Sequence, residues 1–338
     1  EGRYYRYHHL FAAFLRERLK RERPDAILEL HRRAGLWYED DGCLAWAVEH
    51  TLAAEDFDRA ADLIQEETGV RRRYVDAAML LRWLGTLPDD LVRQRPKLCL
   101  LYAWALAHSG ALEEAEDRLR QHRDHRAHQA RPERRRQHHR DQEVGKGEQG
   151  VDGAHTMLGE ICIIRARMAA MRENAPLTTK LSNRALELLP EGELHLRGDV
   201  ALDLGHAYCS VGDLESATEA FAKAAATGRA ADDLRTALFG LRYQASQEIS
   251  RGRLRKAEEL LLDGKRLAES RPDGVPSVAG IIHTGMGELL YERGDLDEAR
   301  RLLEEGIELG RRSGEAKILV YGYVNLARVL MARGDAEW

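Results

Sequence analysis

The sequence predicts an all-α solenoid of stacked helix hairpins, and three observations carry that prediction. First, one hairpin signature recurs: Gly110 opens "GALEEAEDRL", Gly212 "GDLESATEAF", Gly252 "GRLRKAEELL" and Gly294 "GDLDEARRLL", and Gly334 begins another copy. From Gly212 onward the glycines are spaced by 40, 42 and 40 residues. Second, apolar residues fall at helical steps, with almost no alternation of the kind a half-buried strand shows. Third, a lone hairpin cannot bury its apolar stripe, so units of this period are stable only when each covers the next.

Taken in chain order, "RYYRYHHLFAAFLRERLKRERPDAILELHRRAGLWYEDDG" (3–42) reads as an aromatic, basic start and two helices separated near Pro24. Phe11 and Phe14 stand at helical spacing as core positions. "LAWAVEHTLAAEDFDRAADLIQE" (44–66) is a hairpin with Glu55-Asp56 at its turn. In "RWLGTLPDDLVRQRPKLCLLYAWALAHSG" (82–110) proline fixes a turn at Leu87-Pro88. Residues 121–156 are basic and rich in histidine. From Arg120 to Thr156 the core residues vanish, so that stretch is expected to be a disordered insertion. "RARMAAMRENAPLTTKLSNRALELLP" (165–190) is an irregular hairpin turning at Glu173-Asn174.

In each complete Gly-anchored copy, Leu follows the Gly by two positions, Ala by five, and Leu or Phe by nine. The Gly supplies the left-handed residue that ends the first helix. Ala115, Ala217, Ala257 and Ala299 mark close helix crossings. In "LGHAYCSVGDLESATEAFAKA" (204–224), Leu204, Gly205, Tyr208, Ala217, Phe221 and Ala224 hold the offsets of the tetratricopeptide pattern. In that geometry the offset of His206 faces the concave groove. The same mapping sends Arg242, Ser246, Thr284, Glu288, Tyr291, Tyr321 and Arg328 there. Tyrosines, charges and hydroxyls on one face suit a polar ligand, with rings to stack and polar groups to orient.

Composition narrows the function classes. The 338-residue chain has net charge −5, and the eight Lys/Arg against five Asp/Glu between Gln121 and Gly150 leave −8 for the rest. That balance argues against a chain built as a whole to bind nucleic acid. The insertion's histidines, His122, His125, His128, His138 and His139, read as a solvated loop, with nucleic acid or metal contact as the alternative. Cys43, Cys99, Cys162 and Cys209 form no CxxC pair and suit a reducing cytoplasm. The longest apolar run, "LCLLYAWALA" (98–107), is about half of a bilayer span. No GxSxG or HExxH occurs, so no catalysis and no metal is expected. Adjacent His8 and His9 point different ways and read as structural.

The ordered set "YYRYHHLFAAFLRERL" (4–19), "LHRRAGLWYEDDG" (30–42), "AVEHTLAAEDFDRAADLI" (47–64), "WLGTLPDDLVRQRPKLCLLYAWAL" (83–106) and "LGEICIIRARMAA" (158–170) resembles the MalT-like large LuxR-type transcriptional regulators of the STAND family. The resemblance implies the C-terminal part of a winged-helix domain over 1–42 and helical hairpins over 43–120. After the 121–156 insertion, it implies a tetratricopeptide-type sensor solenoid over 157–338. It also implies that a small-molecule inducer or regulatory protein binds the concave surface, with self-association in the full-length form. ATP would belong to an upstream module, and DNA contact to a C-terminal helix-turn-helix. "EVGKGEQG" and "LDGKRLAES" put no Ser or Thr after Gly-Lys, as a phosphate loop requires. The alternative expectation is a stand-alone tetratricopeptide-type adaptor for protein tails.

Overall fold

The computed structural model describes residues 8–71, 77–122, 147–272 and 274–335. Helices account for the regular structure, and no strand occurs among the described residues. The chain divides into two compact units, Glu1–Asp141 and Gln142–Trp338.

The first unit holds α1 (His9–Glu22), α2 (Asp25–Asp40), α3 (Leu44–Ala53), α4 (Phe57–Arg71), α5 (Ala77–Thr86), α6 (Asp89–Gln94), α7 (Pro96–Ser109) and the described part of α8 (112–122). Its core joins Val48, Leu63, Ile64, Leu80, Trp83 and Leu98. The Trp83 indole N–H donates to Glu49 at 2.7 Å, so the buried ring keeps its one polar atom satisfied. Helices α2 and α3 lie close enough that a Cβ on Gly35 would stand 2.8 Å from the Thr51 hydroxyl. The two helices thus pack as a pair joined by a turn at Gly42 and Cys43. Phe11 and Phe14 depart from expectation: they are about half exposed, and α1 buries none of its residues. Helical spacing produces a core position only where a neighbour covers the stripe, and no described helix lies along α1.

The second unit is a run of hairpins: α9 (Gly147–Met171) with α10 (Ala175–Leu188), α11 (Leu194–Ser210) with α12 (Leu214–Ala230), α13 (Leu234–Ser250) with α14 (Leu254–Glu269), α15 (Gly280–Arg293) with α16 (Leu296–Ser313), and then α17 (Ala316–Arg333). A short 3-10 turn, Ser277–Ala279, precedes α15. Residues 121–122 and 147–156, expected within the disordered insertion, are helical. A helix already nucleated by packing extends at the cost of one residue per added hydrogen bond, without needing apolar cover at each step. The rest of that insertion lies outside the described residues.

Each hairpin turns by one device. The residue before the turn's Asp, Asn, Ala or Arg adopts a left-handed conformation, and the next N–H bonds back to the carbonyl five residues earlier. Asp213 N–H donates to Tyr208 O at 3.0 Å, Asp295 to Leu290 at 3.0 Å and Asp335 to Leu330 at 3.0 Å. Gly212, Gly294 and Gly334 hold φ of 79°, 83° and 75°, where a Cβ is strained. At the turns expected at Glu55-Asp56 and Glu173-Asn174, glutamates take the same conformation, with φ of 57° and 55°. Two of the second helices, α10 and α12, begin on side-chain caps: Asn174 accepts from Leu177 N–H and Asp213 from Ser216 N–H, both at 3.1 Å.

The four alanines after the turns, Ala115, Ala217, Ala257 and Ala299, are fully buried, as are Leu119, Phe221, Leu261 and Leu303 four positions on. A Cβ on Gly205 would overlap the Phe221 ring, and one on Gly287 would stand 2.5 Å from Leu303 Cγ. The small residue seven positions before the turn thus seats the large residue nine positions after it.

Candidate functional site

The first helices of the hairpins, α9, α11, α13, α15 and α17, share one face of the second unit, and that face carries charge where their flanks are apolar. On α11, Asp199, Asp203 and His206 recur at steps of four and three, which places them on one stripe. Opposite them stand Arg167 on α9, Arg235 on α13 and Lys317 on α17. Arg167 pairs with Asp203 at 2.8 Å. Arg235 lies 3.8 Å from Asp199 and pairs more closely with Glu315, at the start of α17. Lys317 Nζ donates to His206 Nε2 across 3.5 Å.

These contacts span 80 and 111 residues, and they determine the shape of the face. Packed helices sit about 8–10 Å apart, so three steps in a straight row would leave α11 and α17 roughly 27 Å apart. Direct contact between His206 and Lys317 requires the row to curl around this side, which is therefore concave.

Aromatic rings line the same curl. His206 meets Tyr243 edge-on with centroids 4.5 Å apart and Phe221 at 5.4 Å. Tyr243 lies 5.8 Å from Tyr321, and the Arg242 guanidinium sits 5.1 Å from the Tyr321 ring centre. Arg242 is fully buried and donates to Glu288 at 2.5 Å. Its Nε and Nη1, together with Arg167 Nε and Asp203 Oδ2, have no hydrogen-bond partner among the described residues. Room for Arg242 comes from Gly285, where a Cβ would stand 2.9 Å from Arg242 Nε.

Burial sets the protonation of this cluster. It pushes Asp203 upward against the pull of Arg167, and it holds His206 well below the usual histidine value, with Lys317 adding to the effect. Burial, aided by Arg167, lowers Lys317 to about 8. His206 is thus neutral at pH 7 and free to accept from Lys317. Two donors and one acceptor side chain with unused capacity lie beside packed rings in a polar, charge-balanced cluster. An ion of either sign gains little there, whereas a molecule with both donors and acceptors can complete the set.

The eight residues expected on the groove divide among four settings. His206, Arg242, Glu288 and Tyr321 come together in this cluster. Tyr291 and Arg328 form a separate pair, with the guanidinium 4.3 Å from the ring centre and bonded to Glu292 at 2.7 Å. Ser246 is half-buried on α13 beyond Arg242. Thr284 is fully buried: its hydroxyl donates to Ile281 O at 2.8 Å, and its methyl fills the space left by Gly306 and Gly322. It packs helices and does not face the groove. The mapping missed Arg167, Asp199, Asp203, Arg235, Tyr243, Glu315 and Lys317. The signal was present in charges embedded in apolar runs, as in "VALDLGHAY" (200–208) and "AKILVYGY" (316–323). Among the described residues there is no group of three His, Cys, Asp or Glu that could hold a metal ion. No described helix is long and apolar enough to cross a membrane.

Residues 159–338 match the family described as the MalT-like TPR region. The chain is 28% identical over 99% of its length to the serine/threonine-protein kinase PknK of Mycobacterium tuberculosis (strain ATCC 25618 / H37Rv), of which it covers 28%. It is 27% identical over 99% of its length to the HTH-type transcriptional regulator MalT of Serratia proteamaculans (strain 568), of which it covers 35%. It thus spans about a third or less of these relatives. The crystal structure of the apo form of RapI aligns over 87% of this chain and 72% of its own, at 11% identity and a TM-score of 0.47, too loosely to carry an argument.

Proposed function

Because the chain belongs to the MalT-like TPR region family, we propose that it is the sensor and scaffold region of a LuxR-type, MalT-like transcriptional regulator, with an inducer or regulatory protein as its ligand on the concave face. The observation that carries this reading is the cluster of buried Asp203 and Arg242 with half-buried Arg167, His206 and Lys317, whose polar atoms are only partly used by the protein. Binding there reaches α9, α11, α13 and α17 at once. A ligand that prefers one curvature of the row over another shifts the balance between them by its difference in affinity. Arg235–Glu315 and Lys317–His206 are the contacts through which such a shift is transmitted.

The kinase and the regulator differ in name, yet each aligns with almost the whole of this chain. That supports a shared regulatory module rather than a catalytic one. In the full protein, residues 1–42 would close a winged-helix domain, an upstream module would use ATP, and a downstream helix-turn-helix would contact DNA in the cytoplasm. Self-association would follow from release of the upstream module.

The test is a thermal-shift screen of the purified chain against metabolites and peptides, repeated with Tyr321→Ala and Arg167→Ala. A metabolite that stabilises the parent and fails with both variants supports the reading. Ligands that bind parent and variants alike refute the concave site. Selective binding of peptide tails, abolished by both variants, identifies an adaptor instead.

A further inference from the structure

The repeat whose period is 42 residues differs from its neighbours in the link from α14 to α15, which is longer than the others and includes the Ser277–Ala279 turn. Beside it, between α14 and α16, lies a cleft of about 570 Å³ that opens to solvent. This volume is within the range of small-molecule sites, about 300–1,000 Å³. Ala268, Ala279 and Ile282 form a buried apolar floor, Met286 and Leu309 line the walls, and the half-exposed Val275 stands at the lip.

The charges around the mouth are already occupied. Glu304 accepts from Arg300 at 2.8 Å, Glu305 from Arg301 at 2.5 Å and Glu308 from Arg312 at 3.2 Å, while Lys265 lies 3.8 Å from Glu269. Each pair runs along one helix, so the rim offers no unbalanced charge to recruit an ion.

His283 is the polar group that distinguishes this cleft from a greasy gap. Its Nδ1 lies 3.1 Å from Ala279 O, an atom that can only accept, so Nδ1 carries the proton. In this neutral tautomer Nε2 is an acceptor, and the contact with Ala279 is the ring's one hydrogen bond among the described residues. We propose that this cleft is a second ligand site, for an uncharged, mainly apolar molecule that donates one hydrogen bond to His283 Nε2. The site lies on α14, the Ser277–Ala279 turn, α15 and α16, and uses none of the residues of the concave cluster.

The experiment titrates the full chain at pH 7 with 2-naphthol and with naphthalene, and follows probe fluorescence. The parent should bind 2-naphthol saturably and about fivefold more tightly than naphthalene, the size of effect one neutral hydrogen bond gives. His283→Phe keeps a ring in place but lacks the acceptor, and should bring the two probes to equal affinity by weakening 2-naphthol alone. Val275→Trp, at an exposed position that the fold tolerates, should weaken both. The proposal is overturned if neither probe saturates. It is equally overturned if the preference for 2-naphthol survives in His283→Phe, or if Val275→Trp leaves both affinities unchanged.

Discussion

Arg242 takes a positive charge to a fully buried position, and its neighbours show what that requires. Glu288 supplies the countercharge at 2.5 Å, Tyr321 offers its ring face, and Gly285 removes the side chain that would occupy the same space. Removing one partner of such a buried pair costs about 3–5 kcal/mol, because the other charge remains buried, whereas replacing both with apolar groups costs far less. Glu288→Gln should therefore lower the urea midpoint of the second unit strongly, and Arg242→Met with Glu288→Leu should recover most of the loss. Equal midpoints for the single and double variants would show that the pair is not isolated from solvent. His206 gives a pH signature. Its folded pKa lies well below 6.5, so below pH 6.5 the unfolded chain takes up a proton that the folded chain refuses. Stability must then fall with acidification, by up to about 1.4 kcal/mol per pH unit from this one group. Denaturation measured between pH 7 and 5 should show a shallower slope in His206→Gln than in the parent. Lys317, lowered to about 8, acts in the same sense at higher pH: stability from this group rises between about pH 8 and the ordinary lysine value of 10.5.

At the scale of the helix, crossings rather than charges decide stability. Ala257 is fully buried where α13 and α14 meet, while Glu258 beside it bonds Arg293 at the surface, at 2.6 and 2.9 Å. Ala257→Trp would force the pair apart, and overpacking costs about 1–3 kcal/mol even for small insertions. Glu258→Ala gives up one exposed ion pair, less than about 1 kcal/mol. Calorimetry should show a lower, broader transition for the first and nearly the parent curve for the second. Identical curves would mean that the crossing is elsewhere. These features were legible in the sequence because each rests on a single residue type at a fixed offset. Gly212 and Gly294 announce a left-handed turn, Ala217 and Ala299 a close approach, and Phe221 and Leu303 the knob that fills it. The glutamates at 55 and 173 were legible only through the breaks they make in helical spacing. Where the neighbour was needed, reading failed: Phe11 and Phe14 have the spacing of core residues, but what covers α1 is not written in α1.

At the scale of the second unit, the curl of the row is the property that local patterns could not show. A repeat offset selects residues on one face of successive helices, and four of those it selected, His206, Arg242, Glu288 and Tyr321, lie in one cluster. It does not say how tightly successive hairpins rotate, and that rotation brings Lys317 to His206 across three hairpins and Glu315 to Arg235 across two. Thr284 was misplaced for the same reason: Gly306 and Gly322 draw α16 and α17 over it. If the curl is held by these contacts, reversing one charge should loosen it without unfolding the hairpins, which are also joined through apolar contacts such as those of Leu238, Leu261 and Ile281. Glu315→Arg places a cation against Arg235, itself largely buried, and α17 can relieve the repulsion only by moving outward. Spin labels at Val211 and Val324, both well exposed, report the distance between the C-terminal end of α11 and the middle of α17 once the four native cysteines are replaced. The distribution should lengthen and broaden in Glu315→Arg. It should stay at the parent's value in Glu308→Arg, where the carboxylate pairs only along α16. Matching distributions in all three proteins would mean that packing along the hairpins alone fixes the curvature, leaving a ligand on the concave face nothing to switch.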